Sequence, residues 1–280
     1  MSDLIASARA LYNLNNLSVT ANETTTLSAL ISAVSAAISR YCGREFTNTA
    51  HDELYNGDNQ PRLLLRQFPI LSVQRVAYNP SVVLRIQNTN STNQRATVTV
   101  TDSGLSLLRV ASASSNTDTV TFASNTTLSA LATAVNALGN GWSASVTDNY
   151  DNFASADLRA FQGAFKAAGV IAGLRLHIGE LTDYEIDAGR GWLVRGCGWP
   201  GGLHYWRILY TAGYETIPED VQEACAQWVA ALFWQSKRDS GLTQEQIPGV
   251  VSRVPVQGMP ETVKALLAPY RTHRIVRIGG

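Results

Sequence analysis

At 280 residues the chain is long enough for one large domain or two smaller ones, and a hydrophobic share of 45% supplies a sizeable core. With 22 basic against 22 acidic residues the formal net charge is +0, which excludes the basic balance of a dedicated nucleic-acid binder or a polybasic membrane-surface protein. The longest purely apolar run, Trp228 to Trp234, is far short of the ~20 residues that a membrane span needs. No basic segment followed by an apolar one opens the chain, so a cytoplasmic protein without a secretory signal is expected.

Residues 1–20 mix apolar and Asn positions without a clean period and read as an arm or a short helix. From Thr24 to Cys42 the apolar positions Leu27, Leu30, Ile31, Val34, Ile38 and Tyr41 mark one face of a helix whose Ala and Ser residues permit close approach of a partner, and Gly43 closes it. Asn56-Gly57 offers a turn, and Leu63 to Leu65 and Ile70 to Val73 read as strands separated by Pro69. Near Pro80 the composition shifts towards Ser, Thr, Asn and Ala. Alternation at Val98/Val100, Val120/Phe122 and Trp142/Ala144/Val146 predicts short strands around a capped helix from Asn125 to Leu138. The stretch TTLSALATAVNA there repeats much of the earlier TTLSALISAVSA, but two copies do not make a solenoid.

Trp206, Ile208 and Tyr210 alternate along a strand that Ala212-Gly213 breaks. Thr216 and Glu219 have capping-box spacing around Pro218, and a helix is predicted from Glu219 to Lys237 with acids at its start and bases at its end. Its stripe of Val221, Cys225, Trp228 and Leu232, widened by Val229 and Phe233, makes it a core element and a candidate subunit contact, expected to pack on the Thr24–Cys42 helix. A polar loop follows from Asp239 to Gly258, then a short helix after Pro260. The tail sets Arg271, Arg274 and Arg277 among Ile275, Val276 and Ile278, the pattern of a solvated end or of an arm that lies on a partner.

Little in the sequence supports catalysis, and no catalytic, cofactor-binding or metal-ligating residue is assigned. Gly196 to Gly201 fits G-x-G-x-x-G, but the next residues, Gly202 to Trp206, read as a strand where a dinucleotide site needs a helix. Cys42, Cys197 and Cys225 have neither disulfide nor zinc spacing, and the four histidines are scattered. Asp183, Glu185 and Asp187 alternate on a predicted strand as a solvated acidic face. Trp192, Trp199, Tyr205 and Trp206 read as core and hairpin packing.

Five segments, in order, resemble the head-tail connector (adaptor) proteins of tailed bacteriophages. They are ISRYCGREF, LLLRQFPILSVQRV, the hairpin with Tyr184 to Asp187 and Gly191 to Val194, YTAGYETIPEDVQEACAQWVAALFWQSKR, and MPETVKALLAPYR. The resemblance implies an α+β fold: a helical bundle with a small antiparallel β part as the connector core, formed by residues 1–80 and 183–280. Residues 81–182 are then an inserted α+β domain, which departs from the family pattern. It further implies a non-enzymatic virion protein of the phage neck, assembled in the host bacterial cytoplasm. It would form a ring of about twelve copies beneath the portal protein, with tail-side neck or tail-completion proteins on its far face. Viral double-stranded DNA would pass through without sequence-specific binding, and no membrane or cofactor is involved. The tail residues Arg271, Arg274, Ile275, Val276, Arg277 and Ile278 would face the portal. The helix residues Leu27, Ile31, Val34, Ile38, Val221, Cys225, Trp228 and Leu232 would form core or subunit contacts. A second reading makes the Ser/Thr/Asn-rich insertion a surface module that recognises carbohydrate or another protein.

Overall fold

The computed structural model describes residues 3–15, 17–160, 163–237 and 258–271. In chain order its elements are α1 (Ser7–Asn13), α2 (Ala21–Cys42), β1 (Thr49–Gly57), β2 (Arg62–Leu64), β3 (Ile70–Asn88), β4 (Arg95–Val100), β5 (Gly104–Ala111), β6 (Ser114–Thr121) and α3 (Leu128–Ala137). They continue as β7 (Trp142–Val146), β8 (Phe165–Lys166), β9 (Ala172–Glu180), β10 (Glu185–Asp187), β11 (Trp192–Val194), β12 (Gly202–Ala212), α4 (Glu219–Ser236) and α5 (Glu261–Leu267).

Most of this architecture is β, in three antiparallel sheets. The expectation of a helical bundle with a small β part is therefore overturned. Helices α1, α2, α4 and α5 do share a core, with Leu27, Ile31, Val34, Ile38, Val221, Cys225 and Phe233 buried in it. It is one of three. A second lies on the sheet around Tyr55, Leu65, Trp199, Trp206, Ile208 and Tyr210. The third fills the region between Val83 and Leu176 and includes Val98, Leu107, Leu131, Trp142 and Leu174.

Strand β3 joins the last two. Its first half pairs with β12 from Ile70 to Tyr78, and its second half pairs with β7 from Leu84 to Asn88. On one edge β9 runs alongside it from Ala77 to Ile86. Between the halves Asn79 takes a left-handed conformation, φ 61°, a region that Asn tolerates better than most residues. Pro80 follows with no N–H to offer a neighbour. The composition shift at Pro80 thus lies inside a continuous strand.

Local corrections follow the same physics. Asn56-Gly57 is not a hairpin turn but the end of β1, where the register against β12 shifts between Tyr55 and Gly57. A side chain on Gly57 would collide with the Pro200 carbonyl oxygen at 1.7 Å. Helix α4 starts at Glu219 after Pro218, with no side-chain cap, so Thr216 forms no capping box. The capping box that does form belongs to α2, where Thr20 Oγ1 accepts from the Glu23 amide and Glu23 accepts from the Thr20 amide. Glu23 also meets Lys237 at 2.6 Å, tying the start of α2 to the end of α4. Midway along, Ser35 Oγ lies 3.8 Å from Cys225 Sγ, the close approach that small residues allow.

Candidate functional site: an arginine cage at the root of the C-terminal tail

Helix α2 ends at Gly43, whose φ of 72° is the left-handed cap that turns the chain and delivers Arg44 inward. Arg44 is only 6% exposed. Its guanidinium carbon lies 4.8 Å from the ring centre of Phe68, 5.3 Å from Tyr270, 5.4 Å from Phe46 and 5.9 Å from Tyr214. No carboxylate pairs with it among the described residues, so its charge is held by the faces of four rings. Phe46, Tyr214 and Tyr270 also contact one another, with centroids 5.7 to 6.4 Å apart.

Each ring is placed by its own stretch of chain. Tyr214 follows Gly213, whose φ of 115° and position leave no room for a side chain, since a Cβ would sit 2.2 Å from the Thr47 carbonyl oxygen. The Gly213 amide donates to the Pro69 carbonyl and the Tyr214 amide to the Phe46 carbonyl, both at 2.9 Å. Phe68 is fixed by a buried tyrosine pair beneath its loop. The Arg66 amide donates to the Tyr55 hydroxyl at 2.9 Å and the Gln67 amide to the Tyr210 hydroxyl at 3.2 Å. Both hydroxyls in turn donate to Glu53. Burial first, and then the Glu53 carboxylate, push the Tyr55 hydroxyl pKa far up, so this network stays protonated in neutral solution.

Tyr270 brings the C-terminus to the cage. It follows α5 through a short 3-10 turn at Ala268–Tyr270, and its hydroxyl donates to Asp220 Oδ1 at 2.7 Å. Burial and that hydrogen bond raise its pKa to about 12. Arg271 then lies over the ring of Tyr41, 5.3 Å from its centre. Three motifs that are remote in sequence, at 41–46, 210–214 and 266–271, thus converge on one point. The sequence shows each motif but nothing that links them; the one hint is a lone Arg beside aromatic residues in the first and the last, Arg44 and Arg271.

Of the tail residues expected to face a partner, Arg271 stacks on Tyr41, while Arg274, Ile275, Val276, Arg277 and Ile278 lie outside the described residues. Leu27, Ile31, Val34, Ile38, Val221 and Cys225 are buried within the chain's own helical core, with Trp228 and Leu232 half-buried against it. Trp199 and Trp206 are buried in the sheet core in edge-to-face contact at 4.9 Å. After the G-x-G-x-x-G stretch comes β12, not a helix. Among the described residues no helix is long and apolar enough to cross a membrane, and no cluster of three His, Cys, Asp or Glu is placed to hold a metal ion.

Comparison with known proteins gives one family. Residues 5–143, just under half of the 280-residue chain, match the model of the family described as head completion protein. No curated protein sequence matches. Among solved structures, a chain from the neck of an empty GTA particle computed with C6 symmetry is 13% identical at a TM-score of 0.42, over 99% of this chain and 93% of that one. A chain from the neck of a native GTA particle computed with C12 symmetry is 13% identical at 0.41, over 100% and 97%. A third, from the virion of a native gene transfer agent particle, is 14% identical at 0.38, over 99% and 93%. At these identities and TM-scores the solved structures carry no argument, and the likeness rests on the family model. The matched residues run from α1 to the start of β7 and carry both Arg44 and Phe68, and over this stretch the chain is similar to the head completion protein family.

Proposed function

We propose that the protein is a non-enzymatic component of the virion neck, a ring of like subunits, on the order of twelve, that docks beneath the portal protein and presents tail-side neck proteins with their attachment surface. In this reading the ring is assembled in the host cytoplasm and extends the DNA channel. Its net charge of +0 suits a conduit, because every phosphate a wall neutralises adds affinity that would retain the DNA. Residues 81–182 form a separately folding insertion on the connector core.

One observation carries the docking part: the cage at Arg44 fixes Tyr270 and Arg271, so a binding arm beyond them starts from a rigid root. A short arm that binds on a partner loses about 1 to 2 kcal/mol per ordered residue in backbone freedom, and a fixed root lowers that loss. Single copies then bind weakly and the ring binds by avidity.

The test is truncation after Arg271, which spares the cage, compared with the full chain in cosedimentation with portal-containing heads. The truncated protein is expected to fold normally and to stay in the supernatant. Equal cosedimentation would place the portal contact on the folded body instead.

A further inference from the structure

Four arginines gather where the insertion meets the β1–β12 sheet, and two of them are matched by acids. Arg75 pairs with Asp157 at 2.7 Å and Glu180 at 2.8 Å. Arg207, 9% exposed, takes both Asp52 oxygens, at 2.8 and 2.6 Å. Arg159 and Arg175 have no carboxylate partner among the described residues. They are neighbours, since the Arg159 amide donates to the Arg175 carbonyl at 2.9 Å.

Arg159 and Arg175 both line a cavity of about 240 Å³ together with Phe165 and Leu174. Arg159 extends into an adjoining cleft of about 400 Å³ walled by Asp52, Arg207, Thr101 and Asp102. One Arg159 nitrogen is met at 2.6 Å by His204 Nδ1, which must accept that bond and so leaves His204 neutral. Arg159 Nε is buried without a partner among the described residues. Burial, and then the nearby charges of Arg175 and Arg207, lower the Arg159 pKa from its ordinary value. An incoming anion relieves that repulsion. The apolar walls suit a single carboxylate side chain on a polypeptide, while the Asp52 and Asp102 carboxylates lining the cleft disfavour a run of phosphates.

The chain itself carries a matching acidic surface. Asp183 and Glu185, at and just before the edge strand β10, are exposed and have no cation partner among the described residues. They are two residues apart in extended chain, which puts both on one face about 7 Å apart. We propose that the Arg159–Arg175 cleft receives the Asp183/Glu185 edge of a second copy of this chain, as a head-to-tail contact between unlike surfaces. Such contacts close into rings when the rotation allows, so the inference deepens the ring reading above and rests on it.

Two variants test it in sedimentation velocity of the full chain: R159E/R175E, with a reversed cleft, and D183K/E185K, with a reversed edge. Each alone is expected to raise the concentration of half-assembly about tenfold or more. Mixed in equal amounts they are expected to assemble again, because each variant's cleft then matches the other's edge. Unchanged melting temperatures confirm folding, and R159Q/R175Q substitutes for a reversal that does not fold. Assembly of either variant alone at wild-type concentrations, or a mixture that stays unassembled, overturns the contact. Loss of salt-sensitive binding to a DNA duplex with assembly intact would also overturn it, by showing the cleft to be a phosphate site. If the wild-type chain stays monomeric at every concentration, the ring reading itself fails.

Discussion

Arg44 and Tyr270, separated by almost the whole chain, stand 5.3 Å apart with the guanidinium over the ring, and the Tyr270 hydroxyl is held by Asp220 at 2.7 Å. This contact fastens α5 to the turn after α2 and to the start of α4 at once. Truncating Arg44 to Ala removes a side chain packed on four rings and is expected to cost about 2 to 4 kcal/mol. Arg44→Met keeps most of the packing and discards the burial penalty of an unpaired charge, so about 1 kcal/mol or less is expected. Tyr270→Phe loses one hydrogen bond to a carboxylate, about 1 to 2 kcal/mol. Urea denaturation of the three variants reads the order directly, and an Arg44→Met loss equal to that of Arg44→Ala would show that the charge matters more than the packing.

The same tyrosine predicts an alkaline limit. Its pKa rises in the folded state from the ordinary 10.0 to about 12. Between those values the unfolded chain releases a proton that the folded chain keeps, so stability is intact below pH 10 and falls as the pH climbs towards 12. Tyr55 and Tyr210 are shifted in the same direction, chiefly by burial. Denaturation midpoints measured from about pH 9 to 11.5 should decline, and less steeply in Tyr270→Phe. A flat profile would contradict the buried, hydrogen-bonded hydroxyls.

On the acid side the relevant group is Glu23, whose pKa falls from 4.5 to about 2 through Lys237 first and then the Thr20 amide and hydroxyl. A depressed carboxyl contributes stability that is complete above its unfolded pKa and is lost as the pH drops from about 4.5 towards 2. Glu23→Gln should flatten that part of the profile at low salt and change little at about 1 M salt, where the pair is screened. Identical acid profiles for the two proteins would mean that the pair does not persist in solution.

The proposed insertion can be excised at a place the sheet itself marks. Tyr78 and Gly179 face each other across β3 and β9, so a two-residue Asn-Gly turn can join them and replace residues 79–178. Arg75 keeps Glu180, Arg207 keeps Asp52, and the Leu181 amide keeps the Val76 carbonyl. A soluble, cooperatively unfolding remainder is expected. Cutting instead from Gln87 to Thr182 strips the cover from Val83, Leu84 and Ile86, each 0% exposed in the intact chain, and should give an aggregating product. Solubility and gel filtration of the two deletions compare them; aggregation of the first would show that the two cores depend on each other.

What could be read from the residues depended on how strongly their pattern spoke for one partner. The stripes of α2 and α4 and the alternation of β12 are legible because each buries one definite face, whereas the hairpin of β10 and β11, whose β10 is largely exposed, was read from the family resemblance. Strand β5 was missed because GLSLLRVA carries apolar residues with no clean alternation, and β6 was read only at its Val120 end because SSNTDTVT has almost no other apolar residue. Its Ser and Thr residues are exposed, and backbone pairing with β5 holds β6 in place. Pro80 looked like a boundary, whereas it sits where β3 changes partners. The cage was illegible for another reason: its four rings come from distant segments, and only the turn geometry at Gly43 and Gly213 aims them at Arg44.

Strand β3 also decides how the molecule responds to force. Its 19 residues have a contour of roughly 60 Å and run from the pairing with β12 into the core that lies between Val83 and Leu176. A pull along that strand loads the β3–β12 hydrogen bonds side by side, so that several must break together, whereas a pull across it would open them one at a time. The protein is therefore mechanically anisotropic, stiff along β3 and weak across it, and a particle that ejects its contents under pressure would be served by aligning this strand with the load.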